Sequence, residues 1–313
     1  MKLVIAIIAR SFPAILRLCK TPGKSLHFSM TMLIRLKRYW EETDGYQKIL
    51  YTTGFLLLAS AIFHSVVLII SGGSLEGDVS FRKAITFGEA FGLTVCSLAW
   101  FLTFLPKKRA LWWMLCGIYA IATFLEVLMV TMQVWRGVPS HFNFTSRFDA
   151  AVFGIMGLSI SLHLPLILVV LVLSFSSLKA PDSLKWAIRA GMVLLMASQV
   201  FGTLMIFRGN NTFGLAGQMK IPHALGLHAV QVLPVIAWLL MFRNWHEHQR
   251  TRLVIFASAS YAALVAVTAS QALNGLPVFE LSLPAAFILI AAAAVLGTAM
   301  LLALNGLRQK IKP

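Results

Sequence analysis

The stretch ALWWMLCGIYAIATFLEVLMVTMQ, residues 110–133, decides the fold. Its 24 residues carry one charged side chain, Glu126. At 1.5 Å rise per residue, a helix of this length covers the roughly 30 Å hydrocarbon core of a bilayer. Lys107, Lys108 and Arg109 stand before it, and Trp135 and Arg136 follow it. Seven further stretches read the same way: 49–71, 84–105, 149–175, 186–206, 223–242, 253–272 and 284–305. The fold class is therefore all-α, a polytopic transmembrane helix bundle of about eight spans.

Composition agrees. The chain of 313 residues is 58% hydrophobic and 12% charged, with mean hydropathy +0.81. A soluble domain keeps about a quarter of its residues charged. The formal net charge of +16 does not point to nucleic acid, because the lysines and arginines fall between the spans. The more basic connectors are the N-terminal segment, Lys107–Arg109, Lys179–Lys185, Arg243–Arg252 and the tail. By the positive-inside rule these face the cytoplasm, which makes the topology N-in/C-in. The expected organisation is a basic cytoplasmic or interfacial segment over 1–48, the bundle over 49–305 and a cytoplasmic tail over 306–313. Cys19, Cys96 and Cys116 are too few and too scattered for a disulfide framework or a thiolate metal site.

Side chains that hydrocarbon disfavours lie inside these spans, and such residues usually line a cavity or a pathway. Counted from the outer span ends, His64, Glu126 and Gln199 sit ~10 Å deep, Glu89 ~8 Å, and His228 and Gln231 ~8–12 Å. Six side chains on five helices are thus expected to share one outer-half layer, with His163 deeper at ~21 Å. His228 and Gln231 are three apart and share a helix face. His223 lies five before His228, which is not the four-residue spacing of a two-histidine metal site. Gly88 and Gly92 bracket Glu89 and read as a close helix contact.

The outer loop Arg136-Gly137-Val138-Pro139-Ser140-His141-Phe142-Asn143 has two readings. Either it folds over the polar layer as a lid, with Arg136, His141 and Asn143 serving the site, or it is a solvated turn with Asp149 capping the next helix. Spans seven and eight hold no ionisable side chain, and residues 291–294 are four alanines, so this pair reads as scaffold or as a helix–helix partner face. Trp135-Arg136-Gly137 and Phe207-Arg208-Gly209 echo each other, too little to make an internal repeat. No clear pair of broken helices marks the spans, which counts against common transporter architectures.

Three stretches carry a resemblance: Phe81-Arg82-Lys83 running into Phe87-Gly88-Glu89-Ala90-Phe91-Gly92; Gln133-Val134-Trp135-Arg136 continuing through the outer loop; and Pro222-His223-Ala224-Leu225-Gly226-Leu227-His228. Together they resemble a set of uncharacterised bacterial eight-span integral membrane proteins. The resemblance implies a multi-pass protein of the bacterial cytoplasmic membrane and no activity. A weaker similarity links the outer-half histidines to haem A synthases, although spans seven and eight lack the histidines of that pattern. Ser60 and His64 match a Ser-x-x-x-His element of alkaline ceramidase-like hydrolases, without the histidine pair that those enzymes also need.

Three functions follow as expectations. In a haem- or quinone-linked redox protein, His64, His163 and His228, with Gln231 beside them, would hold the cofactor, and Glu89 and Glu126 would handle protons. In a proton-coupled transporter or ligand-binding protein, the same layer would be the binding site. In an intramembrane lipid hydrolase, Ser60, His64 and a carboxylate would activate a nucleophile. The bilayer is the partner in each case.

Overall fold

The computed structural model describes residue 34, residues 36–77 and residues 79–311, with side chains up to 306. The basic segment expected over 1–48 lies outside the described residues as far as 33, and the side chains of the tail lie outside them beyond 306. The described chain is a helical bundle, and eight helical spans are long and apolar enough to cross a membrane. In order they are α1 (Gly45–Ser71), α2 (Arg82–Phe101) with a 3₁₀ turn at Leu102–Phe104, and α3 (Arg109–Trp135). The broken span α4 (Arg147–Ser161) and α5 (Leu164–Ser176) follows, then α6 (Asp182–Arg208), α7 (Lys220–Leu240), α8 (Glu247–Leu273) and α9 (Leu283–Ile311). A small antiparallel hairpin, β1 (Thr212–Phe213) and β2 (Gly217–Gln218), pairs Thr212 with Gln218 between α6 and α7.

Span boundaries agree with hydropathy to within about six residues, and α8 has the most extended start. It begins at Glu247 instead of 253, because a helix can run on through polar residues once it leaves hydrocarbon. Here the extra turn places Glu247 Oε1 to accept from Ser183 N–H at the start of α6 (2.8 Å). The fourth span is interrupted at Leu162–His163, with Pro165 in the first turn of α5. Hydropathy reads this as one apolar stretch, and the helix breaks within it because proline has no N–H to continue the ladder. Pro234, by contrast, sits inside α7 without ending it.

Two close pairings organise the bundle. A Cβ at Gly88 would stand 2.9 Å from the Leu57 carbonyl oxygen and 3.2 Å from Ala61 Cβ, so α2 lies backbone to backbone on α1. A Cβ at Gly226 would stand 2.8 Å from the Leu194 carbonyl oxygen and 3.0 Å from Ser198 Cβ, and α7 lies on α6 in the same way. Gly54 against the Gly92 carbonyl and Gly191 against the Ala229 carbonyl complete the match. Each position in the first pair returns 137 or 138 residues later: Gly54 as Gly191, Leu57 as Leu194, Ala61 as Ser198, Gly88 as Gly226.

The turn after the third span repeats as well. Gln133-Val134-Trp135-Arg136-Gly137-Val138-Pro139 has its counterpart in Gln271-Ala272-Leu273-Asn274-Gly275-Leu276-Pro277. Gly137 and Gly275 adopt φ of 70° and 71°, a left-handed conformation that glycine reaches without a Cβ clash. Each helix closes with the same bond: Val138 N–H to Gln133 O (3.1 Å) and Leu276 N–H to Gln271 O (3.0 Å). Spans one to three are thus matched by spans five to seven, and we read the chain as two four-span repeats, α1–α5 and α6–α9. The short echo of Trp135-Arg136-Gly137 in Phe207-Arg208-Gly209 falls outside this register, in which span three matches span seven. One contact between the repeats joins the Gln231 amide on α7 to the Thr94 hydroxyl on α2 (3.2 Å).

The two ends of the bundle differ. At the basic end, Arg189 Nε caps the C-terminus of α5 by donating to Ser174 O, and Arg243 Nη1 reaches across to Leu302 O on α9 (both 2.9 Å). Lys107 Nζ joins Asp44 at the start of α1 (2.9 Å). The opposite end carries the 136–146 loop and the β hairpin, and is called the loop end below.

Candidate functional site

The loop after α3 is a built structure. Gln133, at the end of α3, donates through Nε2 to Asp149 Oδ1 (2.9 Å), and Arg136 Nη1 reaches the same oxygen at 2.6 Å. Arg136 Nη1 also donates to Gln133 Oε1. Ser146 caps α4: its Oγ accepts from Asp149 N–H (3.1 Å) and donates to Asp149 Oδ2 (2.6 Å). The Arg136 guanidinium lies 4.6 Å from the Phe148 ring centre. These contacts strap the end of α3 to the start of α4 and fix both feet of the loop.

Within the loop, Asn143 Nδ2 donates to Pro139 O (3.0 Å), and its Oδ1 accepts from Thr145 N–H (3.2 Å) and Thr145 Oγ1–H (2.7 Å). Asn143 is buried, so it braces the turn from within. Phe142 has φ 55°, the one non-glycine residue at positive φ among the described residues. Such strain persists only where surrounding contacts over-determine it. Here the brace and the packing of Phe142 on Phe153 (5.2 Å between ring centres) supply them.

Under this turn lies Glu126, only 1% exposed. Its Oε1 is 3.8 Å from His141 Nε2, and Oε2 has no hydrogen-bond partner among the described residues. His141 Nδ1 lies 2.9 Å from Ser140 Oγ. Hydroxyl, imidazole and carboxyl therefore stand in a row. Phe87 packs on the His141 ring at 5.2 Å, and Phe142 and Phe153 at 6.2 Å each. One turn deeper on the same face of α3, Thr123 Oγ1 lies 2.8 Å from His163 Nε2 and donates to Tyr119 O (2.7 Å). Phe91, four residues after Phe87, and Tyr119 flank the His163 ring at 5.4 and 4.7 Å. The break between α4 and α5 is what brings His163 to this column.

The other expected site residues lie elsewhere. His64 Nδ1 faces Ser60 O (2.7 Å), and its Nε2 accepts from the Trp135 indole N–H (3.0 Å). An indole nitrogen only donates, so the His64 proton sits on Nδ1 and neither nitrogen is left for a ligand. Glu89 is exposed on α2, away from the column that Phe87 and Phe91 flank. His228 and Gln231 are half-buried on α7, with Gln231 at the junction of the repeats. His223 Nδ1–H donates to Ser198 O (2.8 Å) and pins α7 to α6. A single shared layer is thus corrected to separate contacts. Depth fixes one coordinate of a side chain, and rotation about the helix axis decides whom it meets.

Two of the three histidines expected to hold a haem are engaged elsewhere. His64 has both ring nitrogens engaged, and His163 Nε2 is held by Thr123. Among the described residues no group of three or more His, Cys, Asp or Glu is placed to hold a metal ion. Ser60 and His64 have no carboxylate among their hydrogen-bond partners, so the hydrolase set read from them is also not assembled.

Several working parts were not singled out in the sequence: Phe87, Phe153, Ser140, Gln133 and Thr123. The spacing of Phe87 and Phe91 was their available signal, as was the repeated Gln133 motif. Comparison with family models, curated proteins and solved structures finds no match to this chain.

Proposed function

We propose that this protein is a proton-handling, ligand-binding membrane protein, in which Glu126 is the proton-exchanging group and the 136–146 loop with His141 is its gate. The observation that carries this reading is the buried Glu126 carboxyl, with one oxygen unpartnered and the other facing an imidazole on an outer loop. A carboxyl in hydrocarbon surroundings is costly and usually functional. Together, Glu126 and His141 are neutral in two forms, acid with imidazole and carboxylate with imidazolium, so a proton exchanged between them once they close from 3.8 Å to hydrogen-bond length leaves no net charge buried. The basic connectors at the opposite end support a bacterial cytoplasmic membrane with the loop end outward. The motifs around Gly88, Gln133 and Gly226 support placement among the uncharacterised bacterial eight-span proteins.

The second repeat supplies the control. In register, Leu264 stands where Glu126 does and Phe279 where His141 does. The same scaffold therefore folds without the pair, which argues that the pair serves something other than folding. Acyl chemistry by the Ser140–His141–Glu126 row is less well supported, because Ser140 is fully buried and a nucleophile needs access to its substrate.

Infrared difference spectroscopy between acid and alkaline pH tests the proposal. One carboxyl absorption should titrate in the purified protein, vanish in Glu126→Gln and shift its midpoint in His141→Ala. If Glu126→Gln titrates like the parent, Glu126 does not exchange the proton and the reading fails.

A further inference from the structure

The place that His141 fills is built for a cation. Its floor is Glu126, 3.8 Å from His141 Nε2, and the second oxygen of that carboxyl is buried and unpartnered. Its walls are the rings of Phe87, Phe142 and Phe153, 5.2 to 6.2 Å from the imidazole centre. Aromatic faces at about 6 Å attract a cation through their quadrupole, and do so more strongly once water is excluded. An acid beneath three phenyl rings is poor recognition for an anion. It suits a small organic cation, with the ammonium on the acid and the apolar body among the rings.

The imidazole is not part of the wall. It arrives on a loop anchored at both feet, by the Arg136–Asp149 strap and the Ser146 cap, and it stays one-quarter exposed. Phe87 and Phe153, by contrast, belong to the spans, while Phe142 rides on the loop beside His141. We propose that His141 is a tethered stand-in for the ligand, and that the site takes a protonated organic amine that displaces it. This rests on the reading of Glu126 as the working group of the site and adds the class of ligand. The duplication agrees: in the second repeat Leu264 replaces the acid, and Phe279, the counterpart of His141, points to the outside. A floor without charge needs no plug.

Exchange of His141 for an amine also explains why the loop is strapped at its feet: the tether keeps the plug beside the site after it has been displaced. A plug lowers apparent affinity by the fraction of time it is seated, so its removal raises affinity by the inverse of the open fraction. If the site is open one-tenth of the time, His141→Ala gains about tenfold.

The test is equilibrium binding of benzylammonium to the purified full chain, read by isothermal calorimetry, with benzyl alcohol as the uncharged probe. His141→Ala should bind benzylammonium several-fold more tightly than the parent and leave benzyl alcohol unbound. His141→Leu keeps a bulky plug without a charge and should bind neither. Glu126→Gln combined with His141→Ala should lose the amine. Equal binding of the alcohol, or amine binding that survives Glu126→Gln, would show a merely greasy cleft and overturn the proposal. Absence of amine binding in a folded His141→Ala also overturns it, while the infrared titration of Glu126 separately decides whether the proton-handling reading stands.

Discussion

Glu126→Leu should make this protein more stable and abolish its proposed function. The buried Oε2 has no partner, and leaving a buried polar atom unsatisfied costs about 1–3 kcal/mol. The interaction that leucine gives up is weak. At 3.8 Å Oε1 is beyond hydrogen-bond length from His141, so leucine forfeits no hydrogen bond there. Leucine is close to glutamate in size, and the second repeat already holds Leu264 at the matching position. The net expectation is a gain of about 1–2 kcal/mol, against a typical core substitution that loses about 1. The measurement is equilibrium unfolding in mixed micelles, followed by tryptophan fluorescence, for parent, Glu126→Leu and Glu126→Gln. A drop of about 1 kcal/mol or more in Glu126→Leu would mean that the carboxyl is satisfied structurally and is not kept for function. A gain with intact proton titration would equally refute the assignment of Glu126.

Further expectations can be checked on the same material. Trp135→Phe removes the donor to His64 Nε2 and should cost about 1 kcal/mol in the same unfolding assay, with no change in the Glu126 infrared band. Gly88→Ala and Gly226→Ala each force two helix backbones apart and should cost about 1–3 kcal/mol apiece; lying in different repeats, they should add in the double mutant. Asp149→Asn weakens the strap, and hydrogen exchange at residues 137–145 should rise while the spans stay protected. At the basic end, partial burial pushes the Asp44 carboxyl up, but Lys107 and the Tyr46 hydroxyl outweigh it and hold it below the usual carboxylate value. Its contribution is therefore present above about pH 4, the unfolded value, and lost as pH falls through the lower folded one. Asp44 is one-third exposed and Lys107 mostly so, which limits the effect to well under about 1 kcal/mol. Asp44→Asn should flatten the acid limb of the stability profile by that small amount and leave the neutral region unchanged.

The spans were legible because hydrocarbon tests every residue over some 20 positions, and the apolar run is its direct imprint. The polar extension of α8 from Glu247 was not, because a helix in water leaves no hydropathy mark. The break at His163 could be read from Pro165, which sits two residues on. In the site, Glu126, Arg136, His141 and Asn143 come together because the loop and the end of α3 are neighbours in the chain. His64, Glu89 and His228 share their depth but not their direction, and only packing sets direction. His64 is held by Trp135, 71 residues away, a pairing that no local pattern announces. The repeat was in plain view in the Gln133 and Gln271 motifs, yet their flanking residues, Trp135-Arg136 against Leu273-Asn274, differ enough to mask it.

Four is an even number, and the duplication inherits a consequence from that. Each half enters and leaves the bilayer on one side, so the stretch at 177–181 makes no crossing; it merely keeps two finished pieces in company. A gene cut there would encode two polypeptides, each able to insert the right way up. Their reunion along α2 and α7, where Thr94 and Gln231 meet, would rebuild the bundle from separate messages.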